Sequence, residues 1–92
     1  MAQLAIGEAL SFATVGEWLD TAELKRALTQ ATDDLRVDLS ATQQVDSAGV
    51  ALLLRWLRQC QQKNLRLVLV GASAQLHALL EVCDLKGVFQ FE

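Results

Sequence analysis

The run Val37-Asp38-Leu39-Ser40, continued by Asp46-Ser47-Ala48-Gly49-Val50-Ala51-Leu52-Leu53-Leu54, decides how this 92-residue chain folds. Leu35, Val37 and Leu39 alternate with Arg36 and Asp38, the period of a strand with one buried face. Residues 40–44 are polar and predict a loop. From Ser47 to about Lys63 the period becomes helical, with Val50, Leu53, Leu54 and Leu57 at i, i+3, i+4, i+7 as the expected core stripe. Asn64 is the expected stop. The helix thus opens on an acid, a hydroxyl and two small residues. A hydroxyl or carboxylate there accepts hydrogen bonds from exposed backbone N–H groups, so Asp46 or Ser47 as a cap is the simplest reading. A phosphate on Ser47 would lie where the helix dipole favours negative charge. Ala48 and Gly49 leave room for another surface to come close.

Working outward, Leu4 and Ile6, then Leu10 and Phe12, suggest a short extended region or a hairpin bent near Gly7. From Thr14 the spacing of Val15, Trp18, Leu19, Ala22, Leu24, Ala27, Leu28 and Ala31 is helical. Thr14 with Glu17 forms a capping-box pattern, and Asp20 with Glu23 marks a restart after Gly16. Residues 65–70 are apolar except for Arg66, as in an interior strand of a mainly parallel sheet. Gly71-Ala72-Ser73 turns the chain into a third helix carrying Leu76, Leu79, Leu80 and Cys83. Residues 88–91 make a last short strand. The order β-β-α-β-α-β-α-β predicts one α/β domain over residues 1–92. Its core is a small mixed open β-sheet with about three helices packed mainly on one face.

Composition narrows the function classes. Charged residues make up 21%, and Leu and Val are plentiful, which excludes intrinsic disorder. The longest uninterrupted apolar run is residues 50–54, far below the ~18 needed to cross a bilayer. The first residues lack a basic region and soon reach Glu8, so no signal peptide is expected and the chain is expected in the cytosol. Cys60 and Cys83 sit in leucine-rich helical stretches without metal-ligand spacing, and His77 has no partner ligand in sequence, so no metal is expected. Eight acids against Lys25, Arg26 and Arg36 give residues 1–46 a charge of −5; Arg55, Arg58, Lys63, Arg66 and Lys86 against three acids give residues 47–92 a charge of +2. That is too little positive charge for a nucleic-acid footprint. Apolar residues make up 52%, and glycine brings the fraction to roughly 57%, above the usual 45–50%. Such an excess is either dense core or a patch for a partner.

The segment Val37-Asp38-Leu39-Ser40 with Val45-Asp46-Ser47-Ala48-Gly49-Val50-Ala51-Leu52-Leu53-Leu54 resembles the signature of STAS domains, the family of sulfate transporters and anti-sigma-factor antagonists. Leu10-Ser11-Phe12-Ala13-Thr14-Val15, Leu67-Val68-Leu69-Val70-Gly71 and Leu79-Leu80-Glu81-Val82-Cys83-Asp84-Leu85 extend the resemblance over nearly the whole chain. Within the family, the short length and residues 51–57 look most like the cytoplasmic subunits of a Gram-negative ABC system that moves phospholipids between inner and outer membranes. The resemblance implies a STAS-like fold, no cofactor, and a regulatory subunit that binds the ATPase and is peripheral to the inner membrane through the transporter complex. It also places Ser47 at the family's Ser/Thr position, phosphorylated by a kinase in anti-sigma-factor antagonists and at the ATPase contact in the transport branch. Ala48 departs from the serine common in the antagonists and favours the transport branch.

The expected docking surface comprises Asp46, Ser47, Ala48 and Gly49, with Thr42, Gln44 and Ser73 from the flanking loops. Leu52 and Trp56 read either as core or as further docking residues: they lie one turn apart, rotated from the Val50, Leu54, Leu57 stripe, and tryptophan is enriched at binding hot spots. Together with Val15 and Trp18 they would account for the apolar excess. Arg55 and Arg58, on a neighbouring face, read as solvated charges. Catalysis has little support. Asp46-Ser47-Ala48-Gly49 is not a Gly-x-Ser-x-Gly elbow, and the chain contains no Gly-x-x-x-x-Gly-Lys phosphate loop. No segment pairs an apolar face with a Lys/Arg-rich one, so direct membrane insertion is not expected.

Overall fold

The computed structural model describes residues 2–11, 14, 16 and 22–92. Its elements are β1 (Ala2–Ala5), β2 (Ala9–Leu10), α1 (Ala22–Gln30), β3 (Asp34–Asp38), β4 (Gln44–Val45), α2 (Ser47–Gln62), β5 (Arg66–Val70), α3 (Ala74–Val82) and β6 (Gln90–Phe91). The expected capping box at Thr14 and Glu17, and the apolar residues Val15, Trp18 and Leu19, fall on or beside positions outside the described residues.

Four strands form one sheet in the order β1-β3-β5-β6, and every pairing is parallel. Each new strand joins the same advancing edge. Right-handed crossovers that keep one direction put every connecting helix on the same side of a sheet. The burial pattern obeys this constraint. In β3, Leu35 and Val37 are buried while Asp34, Arg36 and Asp38 are not, and the helix-facing set continues through Leu67 and Leu69. Leu24, Ala27 and Leu28 of α1 join these residues in one core with Leu53, Trp56 and Cys60 of α2 and Leu76 and Leu80 of α3. The α/β architecture, with three α-helices among the described residues, is the expected one.

The opposite sheet face is polar and laced by ion pairs. Arg66 donates to Asp34 through Nε at 2.7 Å and Nη2 at 3.0 Å, and Arg36 is paired with Glu92. Val68 is the buried apolar residue of this face, opposite Arg36 in register.

Two details differ from the sequence reading. No hairpin forms at Gly7; β1 passes to β2, which pairs in parallel with β4, a strand that begins at Gln44, the last residue of the expected loop. A two-residue strand is too short to show a period, so this second small sheet is invisible to alternation. The ladder reaches it through Ile6 N–H donating to the Asp38 carbonyl at 3.0 Å and Gln43 N–H to the Glu8 carbonyl at 2.8 Å. Helix ends follow local chemistry more closely. Asn64, the expected stop, has φ +58° and lets Leu65 N–H reach back to the Cys60 carbonyl at 2.8 Å. Asp84 repeats this at the end of α3, with φ +58° and Leu85 N–H donating to the Leu80 carbonyl at 2.8 Å.

Cys60 is fully buried in the core, and desolvation pushes its thiol up to about 11, whereas Cys83 is exposed. Thiolate, not thiol, reacts with disulfide reagents. Native protein is therefore expected to titrate one thiol with an aromatic disulfide reagent and two after denaturation. Rapid native labelling of Cys60, located by peptide mapping, would contradict this packing.

The Ser40 hydroxyl, and then its backbone N–H, hold Asp38 below the usual carboxylate range; the hydrogen bond from Arg36 does the same for Glu92. Groups with folded-state values below their unfolded ones stabilise fully above the ordinary carboxylate range, and lose this contribution as pH falls through the folded values. The melting temperature should thus be flat near neutrality and fall on acidification, less steeply in an Arg36→Gln variant. Identical acid profiles for the two proteins would remove Glu92 from the explanation.

Candidate functional site

The start of α2 is shaped by a carboxylate. Asp46 has extended backbone (φ −127°, ψ −174°), and its Oδ1 accepts from the N–H of Ala48 at 3.0 Å and of Gly49 at 3.2 Å. Asp46 is therefore the cap, and Ser47 is the first helical residue with its side chain exposed. The acid takes this place because one ionised oxygen serves two backbone donors, a stronger arrangement than a neutral hydroxyl provides. A phosphate on Ser47 would share the first turn with that carboxylate rather than meet wholly free N–H groups.

Gly49 answers to packing inside the monomer. It is buried, and a Cβ on it would stand 2.2 Å from the Leu10 carbonyl oxygen of β2. The expectation that Gly49 leaves room for a partner is corrected: the space is occupied by the chain's own backbone. This contact turns α2 so that Gly49, Val50, Leu52, Leu53, Trp56 and Cys60 form its buried face. Leu54 and Leu57, expected in the core stripe, are half-buried at its margin.

The same rotation corrects the reading of Leu52 and Trp56 as docking residues. Leu52 is 3% exposed and Trp56 0%. Both are core side chains, enclosed by the monomer itself. The largest exposed apolar side chains among the described residues are instead Val82 (84%) at the end of α3 and Val88 (44%).

The flanking loops divide in the same way. Thr42 is buried, and its hydroxyl donates to the Gly7 carbonyl at 2.7 Å, pinning the β3–β4 connection to the β1–β2 connection. That is a structural role, so Thr42 leaves the expected surface. Gln44 is exposed on β4. Ser73 is half-buried and caps α3, its hydroxyl accepting from Leu76 N–H at 3.2 Å. Because α3 packs against β4, the start of α2 and the body of α3 flank that strand. Gly71 adopts φ +69° and brings the turn after β5 against Ser40; a Cβ there would lie 3.0 Å from the serine's own Cβ.

Of the expected residues, the accessible surface keeps Ser47 and Gln44, while Asp46, Ala48 and Ser73 are half-buried. It lies at the carboxyl ends of β3 and β5. In open parallel sheets, ligands bind there where strand order reverses. Here the order never reverses, so the end of the sheet offers a surface and not a crevice. A cavity of about 180 Å³ does open between β1 and α1, beside Gln3, Glu23 and Arg26, and none of the expected site residues lines it.

Three substitutions separate the roles of this helix start. Gly49→Ala should cost ~1–3 kcal/mol or more, because the clash is with backbone that cannot rotate away. Asp46→Ala should cost ~1 kcal/mol as a lost cap. Ser47→Ala should stay within ~0.5 kcal/mol. Urea midpoints at a constant slope would measure all three, and a Gly49→Ala protein as stable as the parent would refute the Leu10 contact.

A family model described as "Mlab, STAS domain" matches residues 2–90. Among solved structures, the crystal structure of a sulfate transporter family protein from Wolinella succinogenes superposes with a TM-score of 0.75. At 17% identity it covers 97% of this chain and 74% of that one, a likeness of fold. No curated protein matches the sequence. With a family model matching nearly its whole length, the chain belongs to the STAS domain family.

Proposed function

We propose that this chain is a non-enzymatic regulatory and assembly subunit of an ABC phospholipid transport system that maintains outer-membrane lipid asymmetry. In this reading it sits on the cytoplasmic side, peripheral to the inner membrane, and binds the MlaF-like ATPase through the start of α2. The observation that carries it is the exposed Ser47 at the head of a helix whose neighbours are committed to the monomer's own packing, in a chain matched by the Mlab description of the family. A side chain that contributes little to the fold is free to serve recognition. Among the described residues, no helix is long and apolar enough to cross a membrane, which fits attachment through a partner.

Copurification tests this reading. A tagged parent chain should recover the ATPase, while Ser47→Arg and Ser47→Asp should lose it and keep the parent's circular dichroism and melting temperature. Ser47→Ala should retain part of the binding. Normal recovery of the ATPase by both charged variants would move the interface elsewhere.

A second reading, an anti-sigma-factor antagonist, draws on the same exposed hydroxyl, which a kinase can reach. Phosphorylation there would add charge at the docking surface and break the complex. Stoichiometric phosphate on Ser47 after incubation with the cognate kinase and ATP would favour it over the transport reading.

A further inference from the structure

The outer face of α2 extends well beyond Ser47. Ser47, Ala51, Arg55, Arg58 and Gln62 follow at i, i+4, i+8, i+11 and i+15; all are exposed, and half-buried Leu54 borders them. The 16 residues of α2 contain two arginines and no acid, with Lys63 directly after them, in a chain of net charge −3. Among the described residues, neither Arg55 nor Arg58 has an ion-pair partner. The arginines of the open sheet face differ, since Arg36 is paired with Glu92 and Arg66 with Asp34. Among the described residues, the cations of the sheet are thus paired and those of α2 are not.

We infer that α2 docks on an acidic protein segment, whose carboxylates meet Arg55 and Arg58 while its backbone passes over Ala51 and Ser47. The inference rests on the reading that α2 is the docking helix, and it adds the chemistry of the partner. Guanidinium groups one turn apart suit carboxylates on a facing helix, and charge pairs of this kind steer encounter and fix register. An anionic membrane fits less well: polybasic lipid sites use roughly four to eight cations, more than this face holds. A second copy fits less well, because its Asp34 and Glu92 are already paired with its own Arg66 and Arg36.

A photo-crosslinking amino acid placed at Ala51 in the full chain, in cells, tests this, with the same probe at exposed Lys86 as control. The expected result is a protein adduct specific to position 51, mapped to an Asp/Glu-rich segment. Arg55→Glu with Arg58→Glu should reduce it about tenfold or more while leaving the fold unchanged by circular dichroism. An acidic segment on the ABC ATPase supports both readings. An acidic segment on another protein supports this inference and overturns the transport role. Adducts to lipid, to a second copy or to a segment without acids would overturn it, as would no adduct or one indifferent to the charge reversal.

Discussion

The approach of α2 to the Leu10 carbonyl sets the rest of the surface. Only a residue without a side chain can stand where Gly49 stands, since a Cβ would lie 2.2 Å from that oxygen. Once the glycine faces β2, the rotation of a rigid helix is decided for all its residues. Leu52, Leu53, Trp56 and Cys60 turn inward, and Ser47, Ala51, Arg55 and Arg58 turn outward. One backbone contact therefore separates what holds the domain together from what it presents.

The sheet contributes a second constraint. Its strands advance in one direction, so right-handed crossovers stack the three helices on a single side. The opposite face is made tolerable to water by Arg66–Asp34 and Arg36–Glu92. Exposed pairs of this kind contribute little stability each. Their consequence, among the described residues, is that the arginines of the sheet face are paired, whereas Arg55 and Arg58 on the helix face are not. The same advancing order removes the crevice in which open α/β sheets hold small ligands, which directs the search for function to surfaces.

Much of the fold was legible along the chain. Alternation in residues 35–39 and the apolar run 65–70 located the central strands, and Asn64 marked the end of α2 because its short polar side chain tolerates the left-handed turn there. Strand β4 was not legible, since two residues carry no period. In the candidate site, Ser47 stood out from its place at a helix start and from the family resemblance. The role of Asp46 stayed open, since either side chain can cap and only the geometry showed the carboxylate bonded to two N–H groups. Thr42 looked like a surface threonine in a polar loop, and its bond to Gly7 spans 35 positions, beyond any local pattern.

Sequence alone settled the class of the domain, the order of its elements apart from β4 and the helix that carries the recognised motif, because periodicity, caps and breakers act within a few residues. It left the direction of that helix's faces undecided. An apolar stretch such as Val50-Ala51-Leu52-Leu53-Leu54 has no polar residue to mark its outer side, so Leu52 and Trp56 fitted core and interface equally. Tertiary packing resolved this through Leu10, a residue 39 positions before Gly49 whose backbone fills the space a side chain would need. Periodicity can say that a helix is amphipathic, but steric contact between distant backbones decides which side it buries.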